Sequence, residues 1–340
     1  MWTDRVRLVR FLIVLLGAGA LLAACGGSSD ESAAGSGLRE LTLVAPSPSL
    51  HYASIQVAID EGFFADEGLD VDLTTITGPT SGHVSAVLSG EAWGFAGGFE
   101  HVVLSNERGS DLRAVFSFAS RVTNAIVAAD PDFTLGDDPA AALAGTRIGV
   151  SEVGRSPHFL IRAYLESLGL DPDRDVTLLE GAESARLAAL ESGQADLAVV
   201  AEIPAAQGIA DGRWEDIVFD LSDFGPYLQP VIGVTQSTIE QDEETVAAFV
   251  RALIRAQQWI YDEPDATLDH VLSFYGDADE AAVGGALDRA IERGLWTRDG
   301  RPTSEAFERV SELASYLAEQ DVDQIDASAS FDQRFVGGGG

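Results

Sequence analysis

The sequence predicts an α/β protein of two lobes, each a mainly parallel sheet flanked by helices. Three observations predict it. From Leu41 onward, short apolar runs alternate with amphipathic helical stretches, the pattern of strands joined by crossover helices. These runs fall into two series of similar spacing. One stretch of the first series, GPTSGHVSAVLSGEA at residues 78–92, also lies over GAESARLAALESGQA at residues 181–195 without a gap. Gly78 then meets Gly181, Ser81 meets Ser184, Gly90 meets Gly193 and Ala92 meets Ala195. Each copy reads as strand end, glycine turn, capped helix, glycine stop and next strand.

Taken in order, the chain begins with Arg5, Arg7 and Arg10, followed by an uncharged and mostly apolar run at residues 11–24. That is the layout of a signal peptide. A helix of that run spans about 21 Å, short of the roughly 30 Å hydrocarbon core, so a permanent membrane span is the poorer fit. Leu22-Ala23-Ala24-Cys25 is similar to a bacterial lipobox, in which the chain is cut before the cysteine and the thiol is acylated. The expectation is that residues 1–24 are removed and that a lipidated Cys25 heads a Gly-, Ser- and Ala-rich tether at residues 25–39. Its flexible reach is on the order of 20 Å. Cys25 is the single cysteine, so the chain has no internal disulfide.

The first series of strands is expected at residues 41–45, 69–76, 92–96 and 114–118, and the second at 147–150, 176–179, 197–200 and 217–219. Helices such as 156–168 separate them. A further strand at 231–235 precedes helices from 243 to 320, joined by short loops that leave no room for another sheet. These C-terminal helices are expected to pack on the first lobe. Residues 40–130 and 231–330 are then lobe 1, residues 131–230 lobe 2, and residues 331–340 a disordered tail. The chain would cross between lobes near 129–136 and near 226–230, both rich in turn residues, and two crossings make a hinge.

Composition narrows the function. The net charge of −34 repels nucleic acid and anionic lipid head groups. All 21 basic residues are arginine, so no lysine can form a Schiff base. His51, His83, His101, His158 and His270 show no metal-ligand spacing, and neither a G-x-S-x-G elbow nor a P-loop occurs. The expectation is a monomeric binding protein that is not an enzyme and carries neither cofactor nor metal.

The stretch SIQVAIDEGFFADEGLDVDL at 54–73, with Gly78 and the SGEA of 89–92, resembles the nitrate, sulfonate and taurine type of ABC-importer substrate-binding protein and its thiamine-pyrimidine-binding relatives. LAGTRIGVSEVGRSPHFLIRAYLESLGL at 143–170 and LESGQADLAVV at 190–200 extend the resemblance over about residues 41–263. It implies a type-II periplasmic-binding-protein fold that closes on a small solute and hands it to a membrane permease and its ATPase. There is one departure: in AEIPAAQ, Glu202 stands where many relatives carry an aromatic residue. A pyrimidine synthase of the thiamine pathway shares this fold, but it uses pyridoxal phosphate bound through a lysine. A ligand-sensing partner of a membrane signalling protein would look the same in sequence.

In open α/β sheets, ligands gather beyond the carboxyl ends of the strands. The candidates there are Ser49, His51, Tyr52, Thr80, Ser81, Gly98, Phe99 and Glu100 in the first lobe, and Gly154, Arg155, Ser156, His158 and Glu202 in the second. Ser156 and Pro157 read as an N-cap and first-turn pair beside Arg155, either a seat for an acidic group or simply a well-capped helix. Glu100 and Glu202 read as acceptors for ring N–H or amine donors, or as solvated carboxylates. Tyr52 and Phe99 read as faces for a flat ligand, or as core. Two carboxylates in one cleft favour a nitrogen-bearing organic solute over nitrate or a simple alkanesulfonate.

Overall fold

The computed structural model describes residues 37–46, 49–76, 82–153, 155–275, 278–317 and 325–337. The expected signal segment and lipobox, Cys25, and the candidate ligand residues Thr80, Ser81 and Gly154 lie outside them.

The strands are β1 (Arg39–Ala45), β2 (Leu69–Thr75), β3 (Gly94–Gly97), β4 (Leu112–Ser117), β5 (Asn124–Ala128), β6 (Arg147–Val150), β7 (Thr177–Glu180), β8 (Leu197–Ala201), β9 (Ile217–Asp220) and β10 (Val231–Thr235). They form two sheets, ordered β2-β1-β3-β10-β4 and β7-β6-β8-β5-β9. The two orders follow one plan, which gives the internal likeness in the sequence its structural meaning. In each, three strands run parallel, a strand that follows a crossing pairs antiparallel, and a fourth strand closes the edge. Each sheet is therefore mainly parallel in strand direction and mixed in pairing, with one strand opposing the other four.

The opposing strands make the crossings. β5 is a buried apolar run with no expected counterpart in the sequence reading, and it pairs with β8 and β9 in the second sheet. The first crossing thus lies at residues 118–123, upstream of the turn-rich 129–136. The second runs through residues 221–230, between β9 and β10. An antiparallel strand starts at the edge where its parallel neighbours end, so both crossings emerge at the carboxyl edge of a sheet.

The helices are α1 (Ala53–Asp60), α2 (Phe63–Asp66), α3 (Gly82–Ser89), α4 (Phe99–Glu107), α5 (Pro139–Leu143), α6 (Ser156–Ser167), α7 (Glu183–Glu191), α8 (Glu202–Ala210), α9 (Gln236–Gln241), α10 (Glu243–Asp262), α11 (Pro264–Tyr275), α12 (Glu280–Glu292) and α13 (Ser304–Leu317). α10 shows how the core forms. The Asp242 side chain caps its start by accepting from the Thr245 N–H at 3.2 Å, and Val246, Phe249, Leu253 and Ile260 are buried. Each such side chain contributes about 1.5–3 kcal/mol by leaving water. Phe249 stacks on Phe64 at 4.8 Å between centroids, fixing α10 to the first lobe.

α11 packs on α1 and α13 on α4, both in the first lobe, but α12 also lies against α8 of the second. The chain is ordered beyond the expected start of a tail. Phe331 bridges to Ala114, the Asp332 N–H donates to the Ala114 carbonyl at 2.8 Å, and Phe331 and Val336 are buried.

Candidate functional site

A cleft of about 940 Å³ is lined by residues that follow strands of both sheets. Ser49, His51 and Tyr52 follow β1, and Gly98 and Glu100 follow β3. On the second lobe Ser151, Arg155 and Ser156 follow β6, Glu183 and Arg186 follow β7, and Glu202 follows β8. The crossings add Thr123, Gln229 and Pro230, the start of β5 adds Asn124, the end of α11 adds Tyr275, and the segment before α12 adds Asp279.

Glu100 is only 1% exposed because the chain turns it back over the end of β3. A Cβ at position 98 would collide with the Glu100 carboxyl and push it from this position, so the glycine leaves room for it. Glu100 accepts from the Ser156 hydroxyl and, at 3.3 Å, from the Tyr227 hydroxyl. Gln229 Nε2 donates to Ser156 Oγ at 2.8 Å. This chain of hydrogen bonds ties the first lobe, the second lobe and the second crossing together. Ser156 is therefore not an N-cap: it is the first helical residue of α6, Arg155 holds the cap position, and the serine hydroxyl is turned to Glu100. A protein carboxyl already meets the helix start that the sequence offered to an acidic ligand group. Arg155 is about one-third exposed at the rim, where its Nε lies 3.4 Å from Glu152.

His51 is buried and neutral. Its Nε2 donates to the Arg121 carbonyl at 3.1 Å, which leaves Nδ1 to accept from Ser49 Oγ at 3.0 Å. Burial pulls its pKa down to about 4. Tyr52 packs edge-on against Phe118 at 5.6 Å, and its hydroxyl donates to the Ala96 carbonyl at 3.2 Å. That fixes the ring on the cleft wall.

Two expected ligand residues turn away from the cleft. Phe99 is 0% exposed and sits edge-on to Phe307 and Phe331 at 5.9 and 6.1 Å, in the core beneath α4. His158, buried on α6, donates from Nδ1 to the Ser151 carbonyl at 3.0 Å and packs on Phe159. Each follows a residue that does reach the cleft by one or two positions, and the 100° step of a helix turns it inward.

Glu202 does line the cleft, in a dry place. Its side chain is 13% exposed, with Arg289 Nε of α12 at 3.8 Å from its carboxyl. Burial pushes its pKa up to about 8, against the pull of Arg289. Arg186 is a cleft residue with no counterpart among the expected ones. It is 7% exposed, and its Nη2 lies 3.5 Å from Glu183, whose same oxygen accepts from the Ala201 N–H at 2.7 Å. Burial draws the guanidinium below its ordinary value, opposed by Glu183. The sequence did carry a signal for it. In the overlay of the two copies Arg186 meets His83, and both are buried polar side chains on matching helices.

A family model described as "NMT1/THI5 like" matches residues 50–267. The chain is 27% identical over 242 residues to the formylaminopyrimidine-binding protein of Halalkalibacterium halodurans, covering 68% of this chain and 69% of that protein. It is 25% identical over 335 residues to the riboflavin-binding protein RibY of Chloroflexus aurantiacus, covering 86% of this chain and 84% of that one. Among solved structures, the periplasmic aliphatic sulphonate binding protein SsuA of Escherichia coli superposes with a TM-score of 0.68 at 14% identity, over 87% of this chain and 98% of that one. That likeness shows the two-lobed periplasmic-binding-protein fold.

Proposed function

The chain belongs to the NMT1/THI5-like family, and from that premise we propose that it is the extracytoplasmic solute-binding lipoprotein of an ABC importer. It holds a small nitrogen-bearing organic solute between its lobes and delivers it to a permease and ATPase. Cys25 carries the lipid anchor, and the protein works as a monomer.

The observation that carries the solute class is the charge of the cleft. Among its described lining residues, the carboxyl side chains Glu100, Glu152, Glu183, Asp211 and Asp279 outnumber three guanidiniums, and Glu202, held neutral by burial up to about pH 8, adds a hydrogen-bonding carboxyl without a charge. Arg155 and Arg213 are paired to carboxylates at 3.0–3.4 Å. A simple inorganic anion meets like charges there, each costing several kcal/mol at about 4 Å and an effective dielectric near 20. A solute rich in N–H donors meets acceptors. Two relatives carry names that specify nitrogen heterocycles, a formylaminopyrimidine and riboflavin, which agrees with this reading. Tyr52 supplies a fixed aromatic face for a flat ring.

The test is a thermal-shift panel of nitrate, taurine, alkanesulfonates, formylaminopyrimidine and riboflavin, followed by calorimetric titration of wild type and Glu202→Gln. At a hundred times its dissociation constant a ligand adds about 2.7 kcal/mol to stability. A nitrogen heterocycle is expected to score, and Glu202→Gln to weaken it. Tight binding of nitrate or an alkanesulfonate that Glu202→Gln leaves unchanged overturns the solute class. Membrane fractionation checks the anchor: Cys25→Ala is expected in the soluble fraction.

A further inference from the structure

The second-lobe wall of the cleft holds two buried polar groups whose hydrogen-bonding capacity is unused by the described residues. Arg186 Nε and Nη1 have no acceptor among them, and Ser151 Oγ has no partner. Both side chains line the cleft, and both are more than nine-tenths buried. Neither is loosely placed. A Cβ at Gly149 would stand 3.3 Å from Arg186 Cβ, so α7 is seated directly on β6, one residue beyond whose end Ser151 lies. Glu183 engages only the Nη2 corner of the guanidinium. A buried donor left unpaired is costly, and the fold retains three such donor groups on one wall of one cavity.

We infer that Arg186 and Ser151 form an oxygen subsite, which receives a carbonyl, carboxylate or sulfonate oxygen of the solute. This rests on the solute-binding reading above and completes it: the solute presents N–H donors toward Glu202 and an acceptor oxygen toward Arg186. The free Nε–H and Nη1–H leave from different edges of the guanidinium plane, so one of them meets the solute oxygen and the serine hydroxyl adds a second bond.

Two measurements on the full chain test the subsite. The first is urea unfolding of wild type, Arg186→Met and Ser151→Ala without added solute. Donors kept for a solute add nothing to the fold, so both variants are expected to match or exceed the wild type. A clear loss of stability in both assigns these side chains to structure and overturns the proposal. The second is calorimetric titration with formylaminopyrimidine and with its deformylated amine, which lacks the carbonyl oxygen, alongside taurine as the anionic arm. Arg186→Met and Arg186→Lys are expected to weaken an oxygen-bearing probe about ten- to a hundredfold, and Ser151→Ala several-fold. The deformylated amine is expected to be indifferent to all three. Unchanged affinity for every oxygen-bearing probe in Arg186→Met overturns the subsite while leaving the solute-binding reading intact. If the wild type binds no probe, that reading fails instead, and unfolding alone decides the role of Arg186.

Discussion

Glu202 opens α8 at a place where burial holds its carboxyl neutral up to about pH 8, while in the unfolded chain it ionises above about 4.5. The folded protein therefore keeps a proton that the unfolded chain loses between these values. The stability this contributes is fully present below pH 4.5 and is lost as pH rises through about 8. Glu202→Gln cannot ionise. Relative to it, the wild type is expected to lose on the order of a few kcal/mol between pH 4.5 and 8.5. Urea unfolding of both proteins at the two pH values checks this, and a constant difference would show that Glu202 is solvated. Phe99 has the opposite character. It is sealed among Phe307 and Phe331, so Phe99→Ala is expected to cost about 3–5 kcal/mol of stability. Titration with a bound solute should show the same affinity as wild type where the variant is folded.

α12 couples the C-terminal helices to the second lobe. Its start is capped by the Asp279 side chain, which accepts from the Ala282 N–H at 3.0 Å. Asp279 N–H also reaches Gln207 of α8 at 3.3 Å. Asp279→Ala is expected to lower stability by about 1 kcal/mol, read from the denaturant midpoint. The helix boundaries themselves follow from local chemistry. Gly90 and Gly193, at equivalent places in the two copies, take positive φ and end α3 and α7, as the overlaid sequences indicated. β5 escaped that logic: its five residues follow a crossing, and only pairing with β8 and β9 makes them a strand.

The two lobes are joined by two crossings and bridged directly by the bond from Ser156 to Glu100. Removing that bridge is expected to loosen closure. Solution scattering of Ser156→Ala should give a larger radius of gyration than wild type without added solute, and a saturating solute should bring the two together. Equal radii throughout would mean the bridge does not hold the lobes. The net charge of −34 acts over the same whole molecule, because self-repulsion opposes compactness and salt screens it over about 10 Å at 0.1 M. The melting temperature is therefore expected to rise between 10 mM and 500 mM sodium chloride. A flat or falling curve would show that the carboxylates are already balanced in the fold.

By itself the sequence determined the fold class, the doubled plan and the loops that carry the site. Those depend on periodicity, glycine turns and caps, which act between residues close in the chain. Ser49, His51, Tyr52, Gly98, Glu100, Arg155, Ser156 and Glu202 all reach the cleft from the loops it indicated. Only the tertiary structure decided which sheet β5 joins, that each sheet is mixed, and that Phe99 and His158 face inward. It alone decided that Glu100 and Ser156 bond to each other while Arg186 Nε and Nη1 find no acceptor among the described residues. Strand partnership, burial and hydrogen-bond satisfaction are settled between residues distant in sequence, and no local pattern encodes which of them will meet.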